Sequence, residues 1–179
     1  MAKSDLPARG HFPKVKLGKK VPKKAEALLI AAFEGDDGLE LPGTALLEGA
    51  ALRSTYEALV AVGATGKTGE VTRVPAPAKA GVASIIAVGL GDAEEVDDET
   101  LRRAAGQAAR SITKVDAVAT SLGDFGVAPV VEGLILGGYK YSGLRSESAA
   151  AATTYTVVAG KSAQEAVSYT HLRAHETRH

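Results

Sequence analysis

The sequence predicts an α/β fold in which a mixed sheet is flanked by helices in three layers. Three observations predict it. Ile85 to Val88 is an unbroken apolar run that stops at a Gly89-Leu90-Gly91 turn, and such runs mark strands buried on both faces. An acidic segment then leads into a stripe of helical period, Leu101, Ala105, Ala108, Ala109 and Ile112. Val115 to Leu122 turns apolar again. Strand, helix and strand in that order form the unit from which α/β sheets are built.

The remaining elements follow from local chemistry. Residues 1–24 are rich in Lys, Gly and Pro and read as a flexible basic leader, with Lys14, Lys16, Lys19, Lys20, Lys23 and Lys24 clustered. Ala27 to Phe33 is an apolar strand, and Glu34-Gly-Asp-Asp-Gly breaks it with turn residues. A helix is expected over much of Leu46 to Val62, with Leu52, Tyr56, Leu59 and Val60 on one face and Gly63 as its stop. Lys67 to Gly69 makes a turn, and Glu70 to Val74 a short strand cut by Pro75 and Pro77. Val82 to Val88 is the central strand. Asp97 or Asp98 caps the next helix, and Glu99 adds charge that favours its first turn, while Arg102, Arg103 and Arg110 fall outside the apolar stripe. After Val115 to Leu122 comes a helix with Val127, Val130, Val131, Leu134 and Ile135 on one side. Pro129 belongs in its first turn, and Gly137-Gly138 ends it. Thr153 to Val158 is β-branched and closes the pattern as a strand.

Composition removes several function classes. The 179 residues carry zero formal net charge, so no global field favours nucleic acid or membrane. With no cysteine there is no thiol chemistry, and the chain suits a reducing cytosol. No apolar run reaches membrane-spanning length, so no membrane partner is expected. The Gly89-Leu90-Gly91 turn invites a dinucleotide reading. The third glycine of that fingerprint is replaced by Glu94, with Glu95 beside it, and two carboxylates would repel a pyrophosphate. His171, His175 and His179 stand four apart in residues 168–179, a spacing that can bind a metal on one helical face. No acidic or cysteine cluster completes such a site. The segment reads as a non-native tail and is set apart from the fold. His11 is the one histidine before it, so a Ser–His–Asp set is not credible.

At Glu132-Gly-Leu-Ile-Leu-Gly-Gly-Tyr-Lys-Tyr-Ser-Gly-Leu-Arg-Ser the chain resembles the leucyl (cytosol) aminopeptidases. In that family a Glu-Gly pair starts a helical turn ending in Leu-Gly-x-Tyr-x-Phe, with Tyr-Lys-Ser soon after. Glu132, Gly133, Leu136, Gly137, Tyr139 and Ser146 match, whereas Tyr141, Leu144 and Arg145 replace the usual Phe, Tyr and Lys. The Val-Gly-Leu-Gly strand end and the later Glu-Thr-Leu-Arg-Arg-Ala-Ala-Gly are also similar. The likeness runs over Ala25 to Val167 and covers only the family's amino-terminal domain.

The resemblance implies a macro-domain-like fold over residues 25–162, the start of a linker helix at 163–167, and a larger catalytic domain that is missing here. In the family that domain holds two divalent metals, Mn or Zn, which polarise the peptide carbonyl and activate water. Its signature, Asn-Thr-Asp-Ala-Glu-Gly-Arg, is absent, so no catalytic, cofactor-binding or metal residue is assigned to this sequence. The implied protein is a cytoplasmic hexamer that removes amino-terminal residues from peptides. This part would supply scaffold and subunit contacts and be inactive alone. Two other functions compete: a macro-like module binding ADP-ribose at the Gly89–Gly91 turn, and DNA binding through Lys14 to Lys24.

Overall fold

The computed structural model describes residues 12–44, 46–78, 80–139 and 154–159. At its centre lies β2 (Ala27–Gly35), paired in parallel with β5 (Ser84–Gly89) on one side and β6 (Ala117–Thr120) on the other. The order across the sheet is β1 (Lys14–Gly18), β7 (Thr154–Val158), β6, β2, β5, β4 (Val71–Pro75). Only β4, antiparallel to β5, and the short β3 (Gly38–Glu40), antiparallel to β2, make the sheet mixed.

Strand periodicity sorts the core into two layers. Leu29, Ala31, Ile86, Val88, Tyr155 and Val157 point to one face, where α2 (Asp98–Ser111) and α3 (Val127–Gly138) cover them. Leu28, Ile30, Ala32, Ile85 and Ala87 point to the other, under α1 (Gly49–Ala61). The result is helices, sheet, helix, the three-layer arrangement expected. Asp97 is the residue that caps α2: its carboxylate accepts from the Thr100 amide at 2.7 Å, and Asp98 is already helical. The expected stripe of α2 is buried, joined by Ala104 and Gly106.

Several expectations are corrected. The basic leader is not flexible throughout, because Lys14–Gly18 is an edge strand in register with β7. Alternation explains it: Val15 packs against the core layer under α3, while Lys14 and Lys16 stay exposed. β2 runs two residues into Glu34-Gly-Asp-Asp-Gly before that segment ends it at Gly35, and Gly38, at φ +119°, leads the chain into β3. α1 occupies Gly49–Ala61 of the expected stretch, and just before it Thr44 and Leu47 form a bridge of their own.

The buried face of α1 also differs. Thr55 and Leu59 face the sheet, while Tyr56 and Val60 are exposed. Thr55 can be buried because its hydroxyl donates to the Ala51 carbonyl one turn back, at 2.9 Å. Pro75 sits inside β4 and is tolerated because β4 is an edge. As expected, Gly137 and Gly138 end α3, as its last two residues.

Candidate functional site

In open α/β sheets, ligands bind beyond the carboxyl ends of the strands, where neighbouring connections leave for opposite faces. Here that point lies between β2 and β5. The chain after β2 goes to α1, on one face, and the chain after β5 goes to α2, on the other. The crevice is filled by the protein itself. Residues 65–70, Thr-Gly-Lys-Thr-Gly-Glu, fold down onto the Gly89–Gly91 turn. The Gly69 amide donates to the Gly89 carbonyl at 2.9 Å, Gly91 to Gly66 at 3.0 Å, and Glu34 to Gly91 at 3.0 Å.

The glycines are explained by this contact. A β-carbon on Gly89 would run into the backbone of Gly66 and Lys67, one on Gly66 into the Phe33 carbonyl, and one on Gly91 into the Thr68 hydroxyl. The turn is therefore shaped for the close approach of a loop of its own chain.

Glu70 holds the loop in place. A single oxygen, Oε2, accepts from the Thr65 amide at 2.8 Å, the Thr65 hydroxyl at 2.9 Å and the Gly66 amide at 2.8 Å. Partial burial pushes its pKa up, but the hydrogen bonds from Thr65 and Gly66 outweigh this and leave it below the ordinary 4.5. Convergent backbone amides of this kind form an anion-binding concavity, and here the anion is the chain's own carboxylate. Lys67 stays exposed, 4.0 Å from Glu34. Sequence inspection missed Glu70, reading it as a strand residue; the Thr-Gly-x-x-Gly-Glu string that encloses it was its only signal.

The start of α2 is likewise answered from within. Asp92 caps the short 3-10 turn over Ala93–Glu95 by accepting from the Glu94 amide at 2.9 Å. Asp97 fills the first turn of α2, and the Thr100 amide draws its pKa down. Glu94 and Glu95 are exposed at this rim. Among the described residues, no three His, Asp or Glu side chains come together in a way that could hold a metal. His11, His171, His175 and His179 lie outside the described residues, as do Tyr141, Leu144, Arg145, Ser146 and the 163–167 segment.

The described part of the Glu132-Gly133 motif serves packing. A β-carbon on Gly133 would strike the Arg102 carbonyl and lie 2.9 Å from Ala105 Cβ, and one on Gly137 would strike Gly106. Glycines four apart on α3, facing Gly106 on α2, thus bring the two backbones into contact. At the rim, Arg102 donates to Glu132 at 2.8 Å and to Glu99 at 2.6 Å, and Arg103 donates to Glu99 at 2.7 Å. These bonds hold the Glu99 carboxyl below its ordinary range. Tyr139 packs against Phe12 with the rings tilted and their centres 4.8 Å apart, and Gly138 lies against Pro13, which ties the entry to β1 to the end of α3.

Among the described residues, no helix is long and apolar enough to cross a membrane. Comparison with known proteins agrees with the motif. Residues 29–148 match the model of the cytosol aminopeptidase family, N-terminal domain. A probable cytosol aminopeptidase of Corynebacterium diphtheriae is 49% identical over 146 residues, covering 82% of this chain and 29% of its own length. One from Corynebacterium glutamicum is 48% identical over 149 residues, covering 80% and 29%. The bottromycin maturation enzyme BotP shares the fold at TM-score 0.53 and 23% identity, over 80% of this chain and 29% of that one. A second structure of it is described as a complex with Mn. This chain thus spans under a third of the relatives it matches. By its matched residues and its fold, it belongs to the cytosol aminopeptidase family and corresponds to the N-terminal domain.

Proposed function

We propose that this chain is the non-catalytic, amino-terminal part of a metal-dependent leucyl aminopeptidase, a cytoplasmic enzyme that trims amino-terminal residues from peptides. The observation that carries this is the match to the family's N-terminal domain over residues 29–148. The closed crevice between β2 and β5 supports a scaffold role, since the place where such sheets take ligands is packed with the chain's own loop. Two divalent metals, Mn or Zn, would sit in the larger domain that follows in the whole protein, where they activate water for attack on the peptide carbonyl. The whole protein would assemble as a hexamer, with this domain contributing contacts. In this reading residues 25–162 are the domain, 163–167 open the linker and 168–179 are foreign to it.

Leucine p-nitroanilide with added manganese tests the proposal. The 179-residue chain should release no nitroaniline, whereas joining residues 1–167 to the remainder of the C. diphtheriae relative should give chelator-sensitive turnover. Chelator-sensitive turnover by the chain alone would overturn it. The macro-like reading predicts saturable heat on titration with ADP-ribose, and the filled crevice predicts none. The DNA reading is tested by retention on DNA: a complex made by Lys14 to Lys24 would dissolve as salt is raised.

A further inference from the structure

α1 shows the wrong polarity for a helix whose outer side meets only water. Thr55 and Leu59 point to the sheet and Leu52 packs at its margin, while Tyr56 and Val60 lie on a shoulder turned away from the core. Leu52, Tyr56 and Val60 repeat every four residues from that margin along the shoulder, with Val62 beyond the helix end. Tyr56, Val60 and Val62 are 40%, 48% and 61% exposed. Beside them, between α1 and β3, lies an open groove of about 600 Å³ lined by Leu39, Glu40, Leu41, Leu52, Arg53 and Tyr56. Exposed apolar side chains grouped beside such a groove mark a contact with another part of a protein.

Where the chain goes next says what covers it. α1 ends at the loop that rests on Gly89–Gly91, so its Val60 and Val62 end lies at the carboxyl edge of the sheet. β7 is parallel to β6, and β6 to β2, so the chain leaves β7 at that same edge. The full-length relatives carry more than two thirds of their length outside the matched part. We propose that the shoulder of α1 and its groove form the docking surface for the polypeptide that follows this domain in the full-length protein, received there through an apolar segment. This rests on the reading of the chain as an amino-terminal domain.

The chain has no cysteine, so a single introduced thiol reports on one place. Val60→Cys, and Thr113→Cys as an exposed control, are labelled with a maleimide in the 179-residue chain and in the fusion to the C. diphtheriae remainder, and read by peptide mass. Labelling at position 60 should slow about tenfold or more in the fusion, as expected for the core of an interface, with position 113 unchanged. Equal rates at position 60 in both proteins would overturn the docking surface. A fusion that hydrolyses leucine p-nitroanilide but leaves position 60 reactive removes the docking surface and keeps the family reading. An inactive fusion with position 60 protected does the reverse. Should the fusion not fold, hydroxyl-radical footprinting of the intact relative decides: protection of the helix that matches α1 supports the surface, and labelling there as strong as on the outer side of its α2 equivalent overturns it.

Discussion

Tyr155 has no accessible surface, and its hydroxyl, like that of Ser121, has no hydrogen-bond partner among the described residues. A buried hydroxyl left unpaired costs about 1–3 kcal/mol, so Tyr155→Phe should leave stability unchanged or raise it, as read from urea denaturation. Burial also pushes the Tyr155 pKa from 10.0 up to about 12. A raised pKa means the folded state keeps its proton where the unfolded chain has lost it. Stability from this group is therefore complete below pH 10 and falls as pH rises toward 12. Tyr155→Phe should flatten that alkaline limb; an unchanged limb would show that another group causes it.

Glu70 works with the opposite sign. Its pKa is lowered on folding, so the ionised latch stabilises the protein above the ordinary 4.5 and is lost as pH falls through the folded value. Glu70→Ala should cost about 1–2 kcal/mol, the scale of a charged hydrogen bond in a half-buried loop. Hydrogen exchange at the Thr65 and Gly66 amides should quicken first, since these donors lose their acceptor. Exchange that stays as slow as in the unaltered chain would rule out the latch.

Among the elements, the α2–α3 seam depends on backbone contact more than on its ion pairs. Gly133→Ala and Gly137→Ala each place a β-carbon against the backbone of α2, and overpacking of this kind costs about 1–3 kcal/mol. Arg102→Ala removes two well-formed but exposed pairs and should cost less than either glycine change. Denaturation midpoints that ranked Arg102→Ala as the more damaging change would reverse this assignment. The residues by which the family was legible, Glu132, Gly133 and Gly137, are thus the residues that join two helices. Their recurrence as a motif has a packing cause, and they say nothing of catalysis.

For the whole molecule, the edge of the sheet matters more than its basic composition suggested. β7 lies between β6 and β1, and removing residues 1–18 would leave its backbone edge unpaired beside the buried Tyr155 and Val157. Open, apolar edges pair with other chains. The truncated protein should aggregate with rising concentration in light scattering, whereas a chain lacking only residues 1–11 should not. Equal behaviour of the two would return Lys14–Gly18 to the status of a dispensable leader.

The family was legible from its resemblance at Glu132 to Ser146, whereas periodicity alone determined the α/β class and the positions of β2, β5, α2, α3 and β7. Each of these rests on apolar spacing or local capping, which is written in consecutive residues. Only the tertiary structure decided which side of α1 is inside, because Thr55 is buried by bonding its own helix, an option that polarity counts do not see. It alone made a strand of Lys14–Gly18, since an edge strand needs one apolar side and a neighbour to pair with. It alone showed why Gly89 and Gly91 are glycines. Their reason is a loop some twenty residues earlier in the chain, whose return and clasp by Glu70 exist only once the sheet has formed.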